Sequence, residues 1–162
     1  MTLLHKKGNL LDLAEQGEFD YIVHGANCLN TFGSGIAKEI KERYPIAYDA
    51  DTKATAQWKI PVAKLGNFSY AITGTDKHHF VIINAYTQVG YLPRGIDHFE
   101  YESFHLILRK LEEVCKGKNV GFPYIGMGLA GGDSNRIIPM IENFAATMQV
   151  HGGNVTLIEF QP

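Results

Sequence analysis

Two glycine-rich runs, each between a strand-like and a helix-like segment, hold the residues of this chain best suited to chemistry. The first reads His24-Gly25-Ala26-Asn27-Cys28-Leu29-Asn30-Thr31-Phe32-Gly33-Ser34-Gly35-Ile36-Ala37. The second reads Pro123-Tyr124-Ile125-Gly126-Met127-Gly128-Leu129-Ala130-Gly131-Gly132-Asp133. Glycine admits positive φ and lets a ligand approach the backbone with no Cβ in the way. A helix that starts at such a turn presents unpaired N–H groups and a partial positive charge, which suits phosphate. Two such turns could hold a diphosphate without Lys or Arg; the plainer alternative is a pair of tight strand-to-helix turns. His24, three residues before Asn27, could activate water or act as a general base near neutral pH. Its place at a strand end predicts that it faces the cleft, and the alternative is a buried imidazole bonded to backbone. Asp133 could position water or protonate a leaving group, or it could cap the helix that follows.

The elements that must position these residues alternate strand-like and helix-like runs, the mark of a layered α/β domain. Strands are expected at Thr2–Lys6, Tyr21–Ala26, Phe68–Thr73, Phe80–Tyr86, Asn119–Phe122 and Asn154–Phe160. Phe80-Val81-Ile82-Ile83 is apolar on consecutive positions, as in a central strand covered on both faces. Three helices are expected. Ile36–Tyr44 stops at Pro45. A second opens on an Asp97…Glu100 capping box and carries Phe104, Ile107, Leu108, Leu111, Val114 and Cys115 at helical spacing. The third carries Ile137, Ile141, Phe144, Ala145 and Met148, with Pro139 in its first turn or at a kink. Ala47–Gly66 and Val89–Gly95 lack a pattern and read as excursions from one domain spanning residues 1–162. Gly126, Gly128 and Gly131 spell G-x-G-x-x-G, but only one helix-like and one strand-like run follow. A dinucleotide fold opens with that fingerprint and needs several βα units after it.

Composition narrows the class. Of 162 residues, 45% are apolar and 20% charged, with a net charge of −2, enough apolar material for a core. That balance excludes broad, charge-driven nucleic-acid binding. Glycine is enriched, at 17 residues. Cys28 and Cys115 make neither a disulfide framework nor a zinc ligand set and read as small buried hydrophobes. No metal site and no cofactor is implied. The first residues, Met1-Thr2-Leu3-Leu4-His5-Lys6-Lys7, lack a signal-peptide pattern, and no apolar run is long enough for a membrane span. A cytoplasmic setting is the expectation.

Gly8-Asn9-Leu10-Leu11, the strand leading to His24-Gly25-Ala26-Asn27, the Gly33–Ala37 turn and the Ile125–Asp133 run together resemble a macrodomain, in order and spacing, over nearly the whole chain. The likeness is to the branch that includes ADP-ribose-1″-phosphate phosphatases and deacylating macrodomains. It implies a three-layer α/β/α sandwich with a mixed, mostly parallel central sheet, and ADP-ribose lying across the strand ends. By position, Asn9 falls where many members have an Asp that accepts from the adenine amino group. This is a departure, because an amide is uncharged and also donates. Asn27 matches the Asn that contacts the distal ribose. Gly33, Ser34, Gly35 and Ile36 match one phosphate loop, and Gly126, Met127, Gly128, Leu129, Ala130 and Gly131 match the other. Phe160 matches an aromatic beside adenine; a core plug is the alternative.

The resemblance implies a metal-independent hydrolase of ADP-ribose 1″-phosphate or a related 1″-linked derivative, with His24 working on water and Asp133 assisting. The competing class is a non-catalytic reader of ADP-ribose or ADP-ribosylated macromolecules. A catalytic Lys used by some members is missing from Asn84-Ala85-Tyr86-Thr87-Gln88, and the Asp of their second loop falls on Ala130. A covalent lysine route is therefore disfavoured.

Overall fold

The computed structural model describes residues 2–162, and Met1 lies outside them. Six strands form one sheet: β1 (Leu3–Gly8), β2 (Tyr21–Asn27), β3 (Phe68–Gly74), β4 (His79–Gln88), β5 (Asn119–Phe122) and β6 (Asn154–Phe160). Their order is β1-β6-β5-β2-β4-β3. All neighbours run parallel except β3, which returns antiparallel beside β4. The expected strands are all present, and four of them extend one to three residues beyond the anticipated limits.

Two apolar layers cover the sheet. On one face, α4 (Tyr101–Val114) and α5 (Ser134–Val150) turn Phe104, Ile107, Leu108, Leu111, Ile137, Ile141, Phe144 and Met148 onto Val23, Ile83, Val120, Phe122, Val155 and Leu157. On the other, α1 (Leu10–Glu15), α2 (Gly35–Arg43) and α3 (Pro45–Trp58) cover Ile22, Ala26, Ile82, Tyr86 and Ile158. The central strands β2 and β4 are thus buried on both faces, which explains their unbroken apolar runs. The result is the expected three-layer α/β/α sandwich with a mixed, mostly parallel sheet. Both cysteines are buried, and burial pushes the Cys28 thiol up to about 11 and the Cys115 thiol up to about 12. No helix among the described residues is long and apolar enough to cross a membrane.

Two helices exceed the sequence expectation. α1 is nucleated by Asn9, whose Oδ1 accepts from the backbone N–H groups of Leu11 and Asp12 at 3.0 and 3.1 Å. α3 occupies most of the unpatterned Ala47–Gly66 stretch, with Pro45 in its first turn, where proline is tolerated. Its buried face is Ala47, Asp51 and Ala54, too small and too polar to read as an apolar stripe. The Asp97…Glu100 capping box is corrected. Glu100 sits at the N-cap of α4 with no side-chain bond, while Asp97 accepts from the N–H of Phe99 at 2.9 Å. Pro139 lies inside α5, whose N-cap is Asp133.

Candidate functional site

The parallel strands deliver their C-terminal ends to one edge, and there the two glycine-rich turns face each other across a cleft of about 460 Å³. Asn27, Gly33, Ser34, Gly35 and Ile36 line it from the β2–α2 turn, and Gly126, Gly128, Leu129 and Ala130 line it from the β5–α5 turn. Gly35, Ile36 and Pro123 also border a second, mainly apolar hollow of about 420 Å³, completed by Asn9, Leu10, Glu39, Ile158 and Phe160. The two spaces therefore adjoin across Gly35, Ile36 and Pro123, the hollow as an apolar lobe and the cleft as a more polar one.

The polar lobe is built for an anion by its backbone. Ser34 caps α2 without a side-chain hydrogen bond, leaving the first N–H groups of that helix uncommitted. Among the described residues, the amides of Gly33, Ser34, Gly35 and Ile36 find no acceptor, and neither do those of Gly126, Gly128, Leu129 and Ala130. Gly35 has φ +58°, and a Cβ on Gly33, Gly35 or Gly128 would meet nothing within 4 Å. These bare backbones leave room for a ligand to approach.

Two expected contacts of the second turn are corrected. Met127 packs against the α4/α5 core, and its amide donates to Tyr124 at 3.2 Å. The amide of Gly131 donates to Gly128 at 3.0 Å. Both N–H groups are spent on shaping the turn, and neither residue lines the cleft. Gly131 instead lies against Ile96, where a Cβ would come within 2.5 Å of the carbonyl oxygen.

The remaining expectations divide. Phe160 is 66% exposed and walls the apolar hollow instead of plugging the core. Asn9 also borders the hollow, but its carbonyl is committed to capping α1, and only Nδ2, 3.4 Å from Glu39 Oε1, remains beside the space. Asn27 lines the polar lobe while holding its own loop: Nδ2 donates to Thr31 O and Oγ1, and Oδ1 accepts from Leu29 N. Asp133 is an exposed N-cap that accepts from Asn135 N at 2.9 Å and does not line the cleft, so its capping alternative is the one found.

His24 is the main correction. It does not face the cleft: it is 1% exposed, on the same face of β2 as Ile22 and Ala26, with its ring edge-on to Phe32. Its Nε2 is 2.6 Å from Asn84 Oδ1, and Nδ1 has no partner. Asn84 in turn donates to Ala47 O and to Ser69 Oγ, and Ser69 bonds the Tyr86 hydroxyl. Tyr86 donates to Asp51 Oδ1, which also receives Lys64 Nζ at 2.8 Å; Lys64 donates further to Thr55 Oγ1. Asp51 and Lys64 are 0% and 1% exposed. A continuous polar chain thus ties β2, β4 and β3 to α3.

Burial holds the His24 imidazole below its ordinary pKa, and the bond to Asn84 offsets this only in part. The fold therefore favours the neutral ring, and the unfolded chain binds the proton more readily. This stabilisation is full above the unfolded value of about 6.5 and is lost as pH falls below it, by at most ~1.4 kcal/mol per pH unit. Urea unfolding at pH 7.5 and 5.5 should show a loss in the wild type that is smaller in His24→Gln. Equal losses in the two proteins would refute this assignment.

Several lining residues had no motif to mark them: Glu39 in the apolar hollow, and Gln88, Tyr91 and Arg94 in the polar lobe. Gln88 lies two residues beyond the strand end expected at Tyr86, and Tyr91 and Arg94 fall in the unpatterned stretch after it.

No protein-family profile matches the sequence. The chain is 26% identical to an uncharacterised 17.5 kDa protein from the tk-vs intergenic region of Enterobacteria phage T4, covering 100% of this chain and 99% of that one. Among solved structures it is similar to the macrodomain of Mycobacterium tuberculosis DarG, with a TM-score of 0.73 and 20% identity over 99% and 97% of the two chains. A Trypanosoma brucei macrodomain in complex with ADP matches at TM-score 0.64 and 15% identity, over 99% of this chain and 64% of that one. Thermosipho africanus DarTG in complex with ADP-ribose matches at TM-score 0.72 and 15% identity, over 91% and 39%. Likeness at these identities shows the fold, and the fold is that of a macrodomain.

Proposed function

We propose that the macrodomain fold of this chain serves to bind ADP-ribose across its strand ends and to hydrolyse ADP-ribose 1″-phosphate or a related 1″-linked derivative. The observation that carries the reading is the two-lobed cleft, with eight uncommitted amides between an apolar hollow and a polar end. Adenine would occupy the hollow beside Phe160. Glu39, not residue 9, would accept from the adenine amino group, with Asn9 Nδ2 as a donor. The diphosphate would lie between the two turns, its charge met by N–H groups. The distal ribose would reach the end lined by Asn27 and Gln88.

Chemistry at that end would draw on the substrate. Among the described residues, no Asp, Glu, His or Lys side chain lines the polar lobe. Water would attack the 1″-phosphorus and pass its proton to a phosphate oxygen. The bond between phosphorus and O1″ would then break, with the proton ending on O1″. The preorganised amides would stabilise the charge that develops.

A second reading, a module that binds ADP-ribosylated partners without cleaving them, is favoured by that same lack of an acid–base side chain. Calorimetry with ADP-ribose, ADP and AMP is expected to show affinity falling in that order. Phosphate release from ADP-ribose 1″-phosphate then separates the readings. Release by the wild type supports the hydrolase, binding without release supports the reader, and failure to bind ADP-ribose overturns both.

A further inference from the structure

The segment that follows β4 has no regular structure, yet its backbone is pinned at several points. Cys28 N donates to Val89 O at 2.9 Å, and Gln88 Nε2 donates to Gly90 O at 2.7 Å. Farther on, His98 N donates to Ala130 O at 2.7 Å, His98 Nε2 lies 2.6 Å from Pro93 O, and Glu100 N donates to Thr87 O at 2.7 Å. The segment is thus fastened to both glycine-rich turns, and it carries Tyr91 and Arg94 into the wall of the polar lobe.

Arg94 is, among the described residues, the one charged side chain lining that lobe. Among the described residues it makes no hydrogen bond or ion pair. Arg43, by contrast, is committed to Asp12, Glu15 and Glu39, and Arg109 to Glu112. The Arg94 guanidinium lies over the Tyr91 ring, 5.5 Å from the centroid, which orients the fork while leaving its N–H groups free. Neither Tyr91 nor Arg94 borders the apolar hollow. The diphosphate position is already served by backbone amides. An unpaired guanidinium in the part of the cleft that excludes the hollow therefore fits a further anionic group.

We propose that Arg94 recognises a phosphate carried on the distal ribose and so selects 1″-phosphorylated ADP-ribose over ADP-ribose itself. The inference rests on the reading that this cleft binds ADP-ribose. A phosphate monoester carries about −1.5 to −2 charges at pH 7 and offers the acceptors that a guanidinium fork pairs best. Arg94 is then a specificity residue, acting on the substituent that distinguishes substrate from product.

The probes are ADP-ribose and its 1″-methylenephosphonate analogue, whose carbon–phosphorus bond water does not cleave. Calorimetry on the wild-type chain is expected to give about tenfold tighter binding of the analogue, a preference that shrinks as salt is raised. In Arg94→Gln the ratio of the two affinities should fall to about one, and Arg94→Lys should retain part of it. If Arg94→Gln leaves the ratio unchanged, or weakens both ligands equally, the assignment of Arg94 is overturned while ADP-ribose binding stands. If neither ligand binds the wild type, the underlying reading fails and takes this inference with it.

Discussion

Replacing Lys64 with Met is expected to cost about 3–5 kcal/mol of folding stability, read as a lower midpoint in urea unfolding. Lys64 and Asp51 are both buried and lie 2.8 Å apart between α3 and the Pro61–Lys64 turn. Removing the ammonium leaves a carboxylate that has lost its counter-charge, with Oδ2 already unpartnered. The Tyr86 hydroxyl would remain as its one donor. The cost comes from that stranded charge and not from lost attraction, so the double variant Asp51→Asn/Lys64→Met should be more stable than Lys64→Met alone. A single-variant loss below about 1 kcal/mol, the range of exposed pairs, would contradict the burial described here.

Gly126→Ala and Gly128→Ala should part company, although the two positions are one residue from adjacent in the same turn. Gly126 has φ +73°, and a Cβ there would run into the Phe99 ring, which is itself 4% exposed. The left-handed backbone costs about 1–2 kcal/mol for any other residue, and overpacking adds about 1–3 kcal/mol. The turn can relieve this only by moving, so Gly126→Ala is expected to lower both Tm and ADP-ribose affinity, the latter by about tenfold or more. At Gly128 a Cβ meets open space. Its Ala variant should unfold within about 0.5 kcal/mol of wild type while still losing affinity, because the methyl occupies the ligand's approach. Thermal melts alongside calorimetry check both. Equal stability in the two variants would mean that the Phe99 contact does not constrain the turn.

The layered fold was legible because its signals are local. Apolar runs such as Phe80–Ile83 mark central strands, and the Phe104–Leu111 spacing marks an amphipathic helix. The glycine turns were legible because their glycines are clustered between a strand-like and a helix-like run, although the contacts of Gly126 with Phe99 and of Gly131 with Ile96 were not. His24 was misplaced because β2 is buried on both faces, so alternation along Tyr21–Ala26 could not say whether the ring points to a cleft or to a core. The cleft lies beyond the strand end and not on either face. Asp51 and Lys64 were invisible for a different reason. In sequence they are ordinary charges in an unpatterned stretch, and only the folding of the Pro61–Lys64 turn back onto α3 brings them together. Glu39 sits on an expected helix but carries no signal of the hollow it borders, and Arg94 reaches the site through an irregular segment where no spacing rule operates.

The sheet order carries a consequence for biosynthesis. β6 is inserted between β1 and β5, pairing Gly8 with Phe160 on one side and Phe122 with Leu157 on the other. β1 leaves the ribosome before the other five described strands, yet among the described residues its sheet neighbour is β6, which leaves after the other five. A nascent chain can close the β3–β4 hairpin early, since its two arms are joined by a short turn. It cannot dock β1 until synthesis has passed residue 160. The apolar hollow needs Asn9 from one side of that seam and Phe160 from the other. Occupancy of the hollow is therefore a late event of chain maturation, and a nucleotide held there would act as a clasp across the last seam to form.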